Sequence, residues 1–328
     1  MREQEYYLGI DVGSVSTNLV LIDNSEQIVD KIYLRTEGQP INALRNGLRE
    51  ISSRVGEGVK IKGVGTTGSG RQLASVIVGA DCVKNEITAH AVAAQKLIPD
   101  VKTILEIGGQ DSKIIILRNG VVYDFAMNTV CAAGTGSFLD RQASRLSIPI
   151  SEFGQYALRA KSTVRIAGRC AVFAESDMIH KQQTGHSLED IINGLCEALV
   201  RNYLNNLAKG KDIQDVVVFQ GGVAANVGIV AAFERALNKK IVIPKYCDVM
   251  GAFGAALIAK EKMKKEGGNT NFYGFNITDN EYKAKSIECQ GCSNSCEVIE
   301  ILSNNSVLAR WGDKCGKWSE QISHAVNG

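Results

Sequence analysis

Apolar and polar positions along the chain follow the same plan twice. Residues 6–23, YYLGIDVGSVSTNLVLID, form two β-rich runs parted by Gly13, Ser14 and polar neighbours, a pattern that predicts a hairpin. Residues 103–120, TILEIGGQDSKIIILRNG, repeat it: strand, glycine-rich turn with an acidic residue, strand. The two turns lie roughly a hundred residues apart, an internal similarity that predicts two related lobes. Between them, residues 43–55 and 85–98 show helical spacing, and residues 187–210 form a long amphipathic helix that Ser187 would cap. Residues 215–237 read as strand, glycine turn and helix. Residues 251–267 read as a last helix whose glycine and alanine face permits close packing. Strands alternating with helices predict an α/β protein. We expect a first lobe over residues 1–100 and a second over 101–265, with the final helix returning to the first lobe. Polar residues 266–285 read as a linker, and residues 286–328 as a small cysteine-rich module.

Composition narrows the function. The chain has 328 residues, 45% apolar and 22% charged, enough for two lobes with a substantial core. A net charge of +2 gives no reason to expect nucleic acid or a membrane surface as partner. No apolar run reaches the length of a membrane span. The opening MREQEYY carries acidic residues and then enters a strand, unlike a secretion signal, so a cytoplasmic location is expected. Nine cysteines are an odd count, and cytosolic thiols stay reduced, which argues against a disulfide framework. Cys82, Cys196 and Cys247 read as buried small apolar residues. The other six fall into two groups.

The glycine turns suggest a phosphate site. Asp11 emerges at a strand end, where it could face a hydrated magnesium ion, and Gly13 lets backbone approach a ligand. Ser14, Ser16 and Thr17 add hydroxyls. The second turn offers Gly108 and Gly109 for approach, Gln110 and Asp111 for water or metal, and Lys113 for charge. Gly221 and Gly222, following a third strand, leave bare backbone for a base and ribose. Each turn alone could be an ordinary tight turn; the ordered set is more specific. There is no P-loop or Rossmann fingerprint. The glycine-rich stretch GTTGSGR, residues 65–71, has no assigned role.

The chain resembles the acetate kinase, sugar kinase, Hsp70 and actin superfamily, whose two ribonuclease-H-like lobes close on ATP. More narrowly, LGIDVGS, IGGQDSK, CAAGTGSFLD, CAVFAES and GGVAAN occur in the order of one ATPase family. That family, the BadF/BadG/BcrA/BcrD type, activates 2-hydroxyacyl-CoA dehydratases and supplies subunits of benzoyl-CoA reductase. The likeness runs over residues 5–262.

The resemblance gives Cys131 and Cys170 a purpose. Each sits ahead of a helix-like stretch, where unpaired N–H groups and the helix dipole favour a thiolate or an anionic cluster. Gly134 and Gly136 let backbone amides crowd toward a bulky inorganic core. A [4Fe–4S] cluster needs four thiolates, and this region supplies two. In the resembled family a homodimer holds one such cluster between subunits, and Cys131 and Cys170 are the matching positions. The implied activity is ATP-driven one-electron transfer from a ferredoxin or flavodoxin to an iron–sulfur acyl-CoA enzyme. The hydrolytic water would lie near Gln110 or Asp111. Glu175 falls within a family motif without an assigned role, and Asp177 reads as a solvated helix charge. A buried thiol or a cysteine nucleophile is the rival reading. A nucleophile would want a histidine, yet His90, His180, His186 and His324 lie in no persuasive motif.

In the tail, Cys289, Cys292, Cys296 and Cys315 have the spacing of a zinc site or a second iron–sulfur cluster. This extension departs from compact activators and looks more like the segment after the first ATPase unit of long multidomain activases. The chain is therefore readable as a whole protein or as one piece of a longer one. Two other functions compete: a small-molecule kinase of the same superfamily, and a metal-dependent ATPase scaffold without a redox role.

Overall fold

The computed structural model describes residues 5–56, 59–128 and 131–319. Residues 129–130, just ahead of Cys131, and 320–328, with His324 and the end of the tail module, lie outside the described residues.

The first half runs β1 (Glu5–Val12), β2 (Ser16–Asp23), β3 (Ile28–Arg35), α1 (Pro40–Val55), β4 (Lys60–Thr67), α2 (Arg71–Val78), β5 (Cys82–Val83) and α3 (Glu86–Leu97). The second runs β6 (Thr103–Ile107), β7 (Ser112–Arg118), β8 (Val121–Asn128), α4 (Gly136–Arg145), α5 (Ile150–Leu158), α6 (Ala171–Gln183), α7 (Leu188–Tyr203), β9 (Val217–Gln220), α8 (Val227–Leu237), β10 (Ile241–Val242) and α9 (Met250–Glu266). The sheet orders are β3-β2-β1-β4-β5 and β8-β7-β6-β9-β10, the same topology twice. The hairpin pairings correspond as well. Asp11 faces Asn18 as Glu106 faces Lys113, and Val12 faces Thr17 as Ile107 faces Ser112.

The period of two along each strand sends alternate side chains to different layers. In the first sheet, Leu8, Ile10, Leu19 and Leu21 meet Leu44, Leu48 and Ile51 of α1 and Ala74 and Ile77 of α2. The opposite face, with Tyr7, Val20 and Ile22, meets Ala252, Phe253 and Ala256 of α9. In the second sheet, Leu105, Ile107, Ile114 and Ile116 cover the α4–α8 layer, while Ile104, Ile115 and Leu117 meet Ile87, Ala91 and Ala94 of α3. Each half therefore lends its last helix to the other half's sheet, and α3 and α9 lie against each other between them. Small residues make this possible: a Cβ on Gly9 would stand 1.9 Å from the Ala252 carbonyl oxygen, and one on Gly254 1.9 Å from that of Ala89.

The long helix begins at Ser187, whose hydroxyl accepts from the Asp190 amide at 3.2 Å, and ends in a π-helical turn over Leu204–Ala208. The expected linker is instead folded onto the first lobe. The Asp81 carboxylate accepts from Thr270 Oγ1 and the Asn271 amide, both at 2.7 Å, and Phe272, Phe275 and Ile277 join the first-lobe core. Its polar composition hid three apolar anchors. The tail forms its own antiparallel sheet of β11 (Tyr282–Glu288), β12 (Glu297–Ser303) and β13 (Ser306–Trp311).

Candidate functional site: an acid-floored cleft and two adjacent cysteine loops

A cleft of about 510 Å³ opens between the lobes. Its walls are the turns joining β1 to β2 and β6 to β7. These are built alike, the Gly13 amide donating to the Ser16 carbonyl at 2.9 Å and the Gly108 amide to that of Asp111 at 3.0 Å. The turns face each other closely enough that a Cβ on Gly109 would stand 2.6 Å from Cβ of Val15. Gly13, Ser14, Ser16, Gly108, Gly109, Gln110 and Asp111 line the cleft, as do Gly136, Gly221 and Gly222. Thr17 is fully buried and spends its hydroxyl on Thr36 at 3.0 Å. Gly134 packs on Asn202 Oδ1, behind the cleft.

Asp11 lies on the cleft floor, wedged between two glycines. A Cβ on Gly68 would stand 2.5 Å from Asp11 Oδ1, and one on Gly251 2.0 Å from Oδ2. Burial, reinforced by the Glu86 carboxylate, pushes the Asp11 carboxyl up to about 7. Glu106 occupies the equivalent position in the second half. It packs against Gly221 as Asp11 does against Gly68, and both glycines are left-handed, with φ 90° and 92°. The unassigned stretch 65–71 is thus the first-half counterpart of the GGVAAN turn. Burial pushes Glu106 up to about 8. Lys113 is 2% exposed, and its ammonium meets Glu86 at 2.8 Å, Glu106 at 3.1 Å and Asp111 at 2.8 Å. His90 is buried one turn after Glu86, with Nδ1 2.8 Å from Gln220 Nε2, and burial pushes it down to about 4. It is therefore neutral near pH 7. Acid groups around glycine-walled space suit a triphosphate carried with a divalent cation.

Glu86, Glu106, His90, Gly68 and Gly251 were not predicted. Glu106 was within reach of the sequence, because the repeat places it where Asp11 stands. Cys247, expected to be buried, lines the cleft, whereas Cys82 and Cys196 are buried and their thiols are pushed up by burial to about 11 and 12.

The cysteine loops lie behind the second turn. Cys131 precedes a single 3-10 turn (Ala132–Gly134), and α4 starts only at Gly136. The start of α4 is docked on the second glycine turn instead: the amides of Gly136 and Ser137 donate to the carbonyls of Gly108 and Gly109 at 2.9 and 2.8 Å, and Ser137 Oγ donates to the Gly109 carbonyl at 2.6 Å. Cys170 stands at the N-cap position of α6, its side chain making no capping hydrogen bond. The two cysteine loops are in contact, with Cys131 Sγ 3.7 Å from the Arg169 carbonyl oxygen. Asn202 of α7 donates to Cys131 Sγ at 3.7 Å and to the Gly168 carbonyl at 2.5 Å, and the absence of a side chain at Gly134 leaves room for its amide. Asp177, expected to be a solvated charge, accepts from the Ala167 amide at 2.8 Å and pins the Cys170 loop. Glu175 pairs with Arg141 and Arg145, tying α6 to α4.

In the tail, the Cys289 amide donates to the Cys296 carbonyl at 2.8 Å, while Cys292 and Cys315 are exposed. Among the described residues, no three Cys, His, Asp or Glu side chains converge as a metal-ligand set.

Known proteins match this architecture. The BadF/BadG/BcrA/BcrD ATPase family matches residues 8–259. A 2-hydroxyisocaproyl-CoA dehydratase activator from Clostridioides difficile is 36% identical over 262 residues, covering 79% of this chain and 97% of that protein. The (R)-2-hydroxyglutaryl-CoA dehydratase activating ATPase of Acidaminococcus fermentans is 35% identical over 265 residues, 79% of this chain and 99% of that protein. The solved activator of the 2-hydroxyisocaproyl-CoA dehydratase from Clostridium difficile, with bound ADPNP, superposes with a TM-score of 0.74 at 35% identity, covering 80% of this chain and 96% of that one.

Proposed function

The chain belongs to the BadF/BadG/BcrA/BcrD ATPase family, and from that premise we propose that it is an ATP-dependent activator of a 2-hydroxyacyl-CoA dehydratase or related acyl-CoA enzyme. It binds and hydrolyses ATP between its lobes, and in this reading works as a homodimer that takes electrons from a ferredoxin or flavodoxin. The observation that carries the reading is the pairing of Cys131 with the Cys170 loop, both cysteines partly exposed, directly behind a phosphate turn.

The donor set fits a shared [4Fe–4S] cluster. Four thiolates are needed and one chain offers two on neighbouring loops, so in this reading a second copy across a two-fold axis completes the set. Val172 and Phe173, in the first turn after Cys170, are 68% and 65% exposed, an apolar surface beside those sulfurs. When bound there, the cluster would supply one-electron transfer at low potential. The chain's own contribution is position. Asn202 holds both loops in register, and the contacts of Gly136 and Ser137 with Gly108 and Gly109 connect the cysteine loop to the phosphates. Asp11 and Asp111, which line the cleft, would face a hydrated magnesium ion through water, and Gln110, exposed at the cleft mouth, would orient the attacking water. Closure of the lobes on ATP then moves the wall to which α4 is tied.

A kinase reading is weaker, because a kinase has no use for two adjacent, partly exposed cysteines tied to the phosphate turn. The test is activation of a 2-hydroxyacyl-CoA dehydratase under anaerobic conditions with reduced ferredoxin. Activation that requires both MgATP and Cys131 supports the reading. Phosphorylation of a small molecule by an iron-free protein would replace it.

A further inference from the structure

Lys113 lies in the nucleotide site yet is turned away from nucleotide chemistry. Its ammonium has three N–H donors. Three carboxylates take them, at 2.8, 3.1 and 2.8 Å: Glu86 from the first turn of α3, Glu106 from the end of β6, and Asp111 from the β6–β7 turn. The side chain is 2% exposed, so no donor remains for a phosphate oxygen. Tyr203 holds the same residue from the other side, its hydroxyl donating to the Lys113 carbonyl at 2.6 Å. Around the cleft floor stand four carboxylates, those of Asp11, Glu86, Glu106 and Asp111, while His90 is neutral. Unbalanced, they would repel one another and a triphosphate.

We propose that Lys113 is a positioning residue that acts as a resident cation, holding Glu106 and Asp111 in the arrangement that a single magnesium ion requires. In the pseudo-symmetric first half, the same strand position is Asn18, beside Asp11. Only the second half carries the charge, where the Lys113 ammonium meets three acids. Lys113 thus neutralises these acids and does not grip the nucleotide. The inference rests on the ATPase reading.

The experiment compares the wild-type chain with Lys113→Gln. ATP binding is titrated in EDTA, and turnover is followed against magnesium concentration at saturating ATP. The expected result is unchanged ATP affinity in EDTA and a half-saturating magnesium concentration raised by about tenfold or more, the usual scale for losing a group that orients metal ligands. Methylammonium should restore part of the turnover saturably, and Lys113→Arg should keep the wild-type magnesium dependence. ATP affinity lost in EDTA with magnesium dependence intact would make Lys113 a phosphate ligand and overturn the proposal. Should Lys113→Gln fail to fold, Lys113→Gln with Glu86→Gln removes one charge of each sign, and the same two readings apply against Glu86→Gln alone. A wild-type protein without MgATP turnover would instead remove the ATPase reading.

Discussion

Gly251 gives the sharpest test of the cleft geometry. It is the second residue of α9, with no positive φ, so alanine suits its backbone and by helix propensity should add about 1 kcal/mol of stability. Its new Cβ, however, would stand 2.0 Å from Asp11 Oδ2, where real contacts do not fall below 3.0 Å. One of the two must withdraw by about 1 Å, and α9 is held by the Gly9 and Gly254 crossings, so the carboxylate moves. A displacement of about 1 Å at a reacting centre costs about a hundredfold in rate. Gly251→Ala should therefore melt at or near the wild-type temperature while its MgATP turnover falls by about two orders of magnitude. Turnover is measured by phosphate release and stability by thermal unfolding. Wild-type turnover in a folded variant would refute the placement of Asp11 at the reaction centre.

Three further outcomes follow from the same geometry. Asp11 and Glu106 bind a proton more tightly folded than unfolded, so metal-free protein should lose stability as pH rises from 6.5 to about 8, above the range where His90 opposes them. The loss should shrink in Asp11→Asn, and a melting temperature that climbs over that window would contradict the assignment. Ser137→Ala removes a 2.6 Å hydrogen bond worth about 1 kcal/mol but leaves the two backbone bonds, so ATP hydrolysis should persist while the effect of ATP on the exposure of bound iron to a chelator weakens. An unaltered ATP response would show that Ser137 is not the connection. Phe173→Glu places a charge on a 65% exposed apolar position beside Cys170 and should shift the protein to monomer in analytical ultracentrifugation; a stable dimer would place the interface elsewhere.

What the sequence revealed was what local chemistry determines. The β1–β2 and β6–β7 hairpins were legible because alternation and glycine turns are local signals, and the two cysteine motifs because each is a contiguous string. The edge strands β3 and β8 escaped notice: their alternation is diluted by Asp30, Lys31 and Asp124, as half-covered strands allow. Glu86, His90 and Gly251 were invisible for a different reason. They reach the cleft because α3 and α9 exchange sheets, a packing choice that no local window records. Asp177 looked like a surface charge because its partner, the Ala167 amide, lies in an irregular loop.

In the proposed dimer, two copies of this chain share one inorganic centre through Cys131 and Cys170. Native mass spectrometry of anaerobically purified protein measures it most directly. The expected species is a dimer carrying four iron and four sulfide atoms, with that mass lost in Cys131→Ser and in Cys170→Ser while MgATP hydrolysis continues. An iron-free monomer, or a dimer that keeps its cluster in both variants, would contradict it.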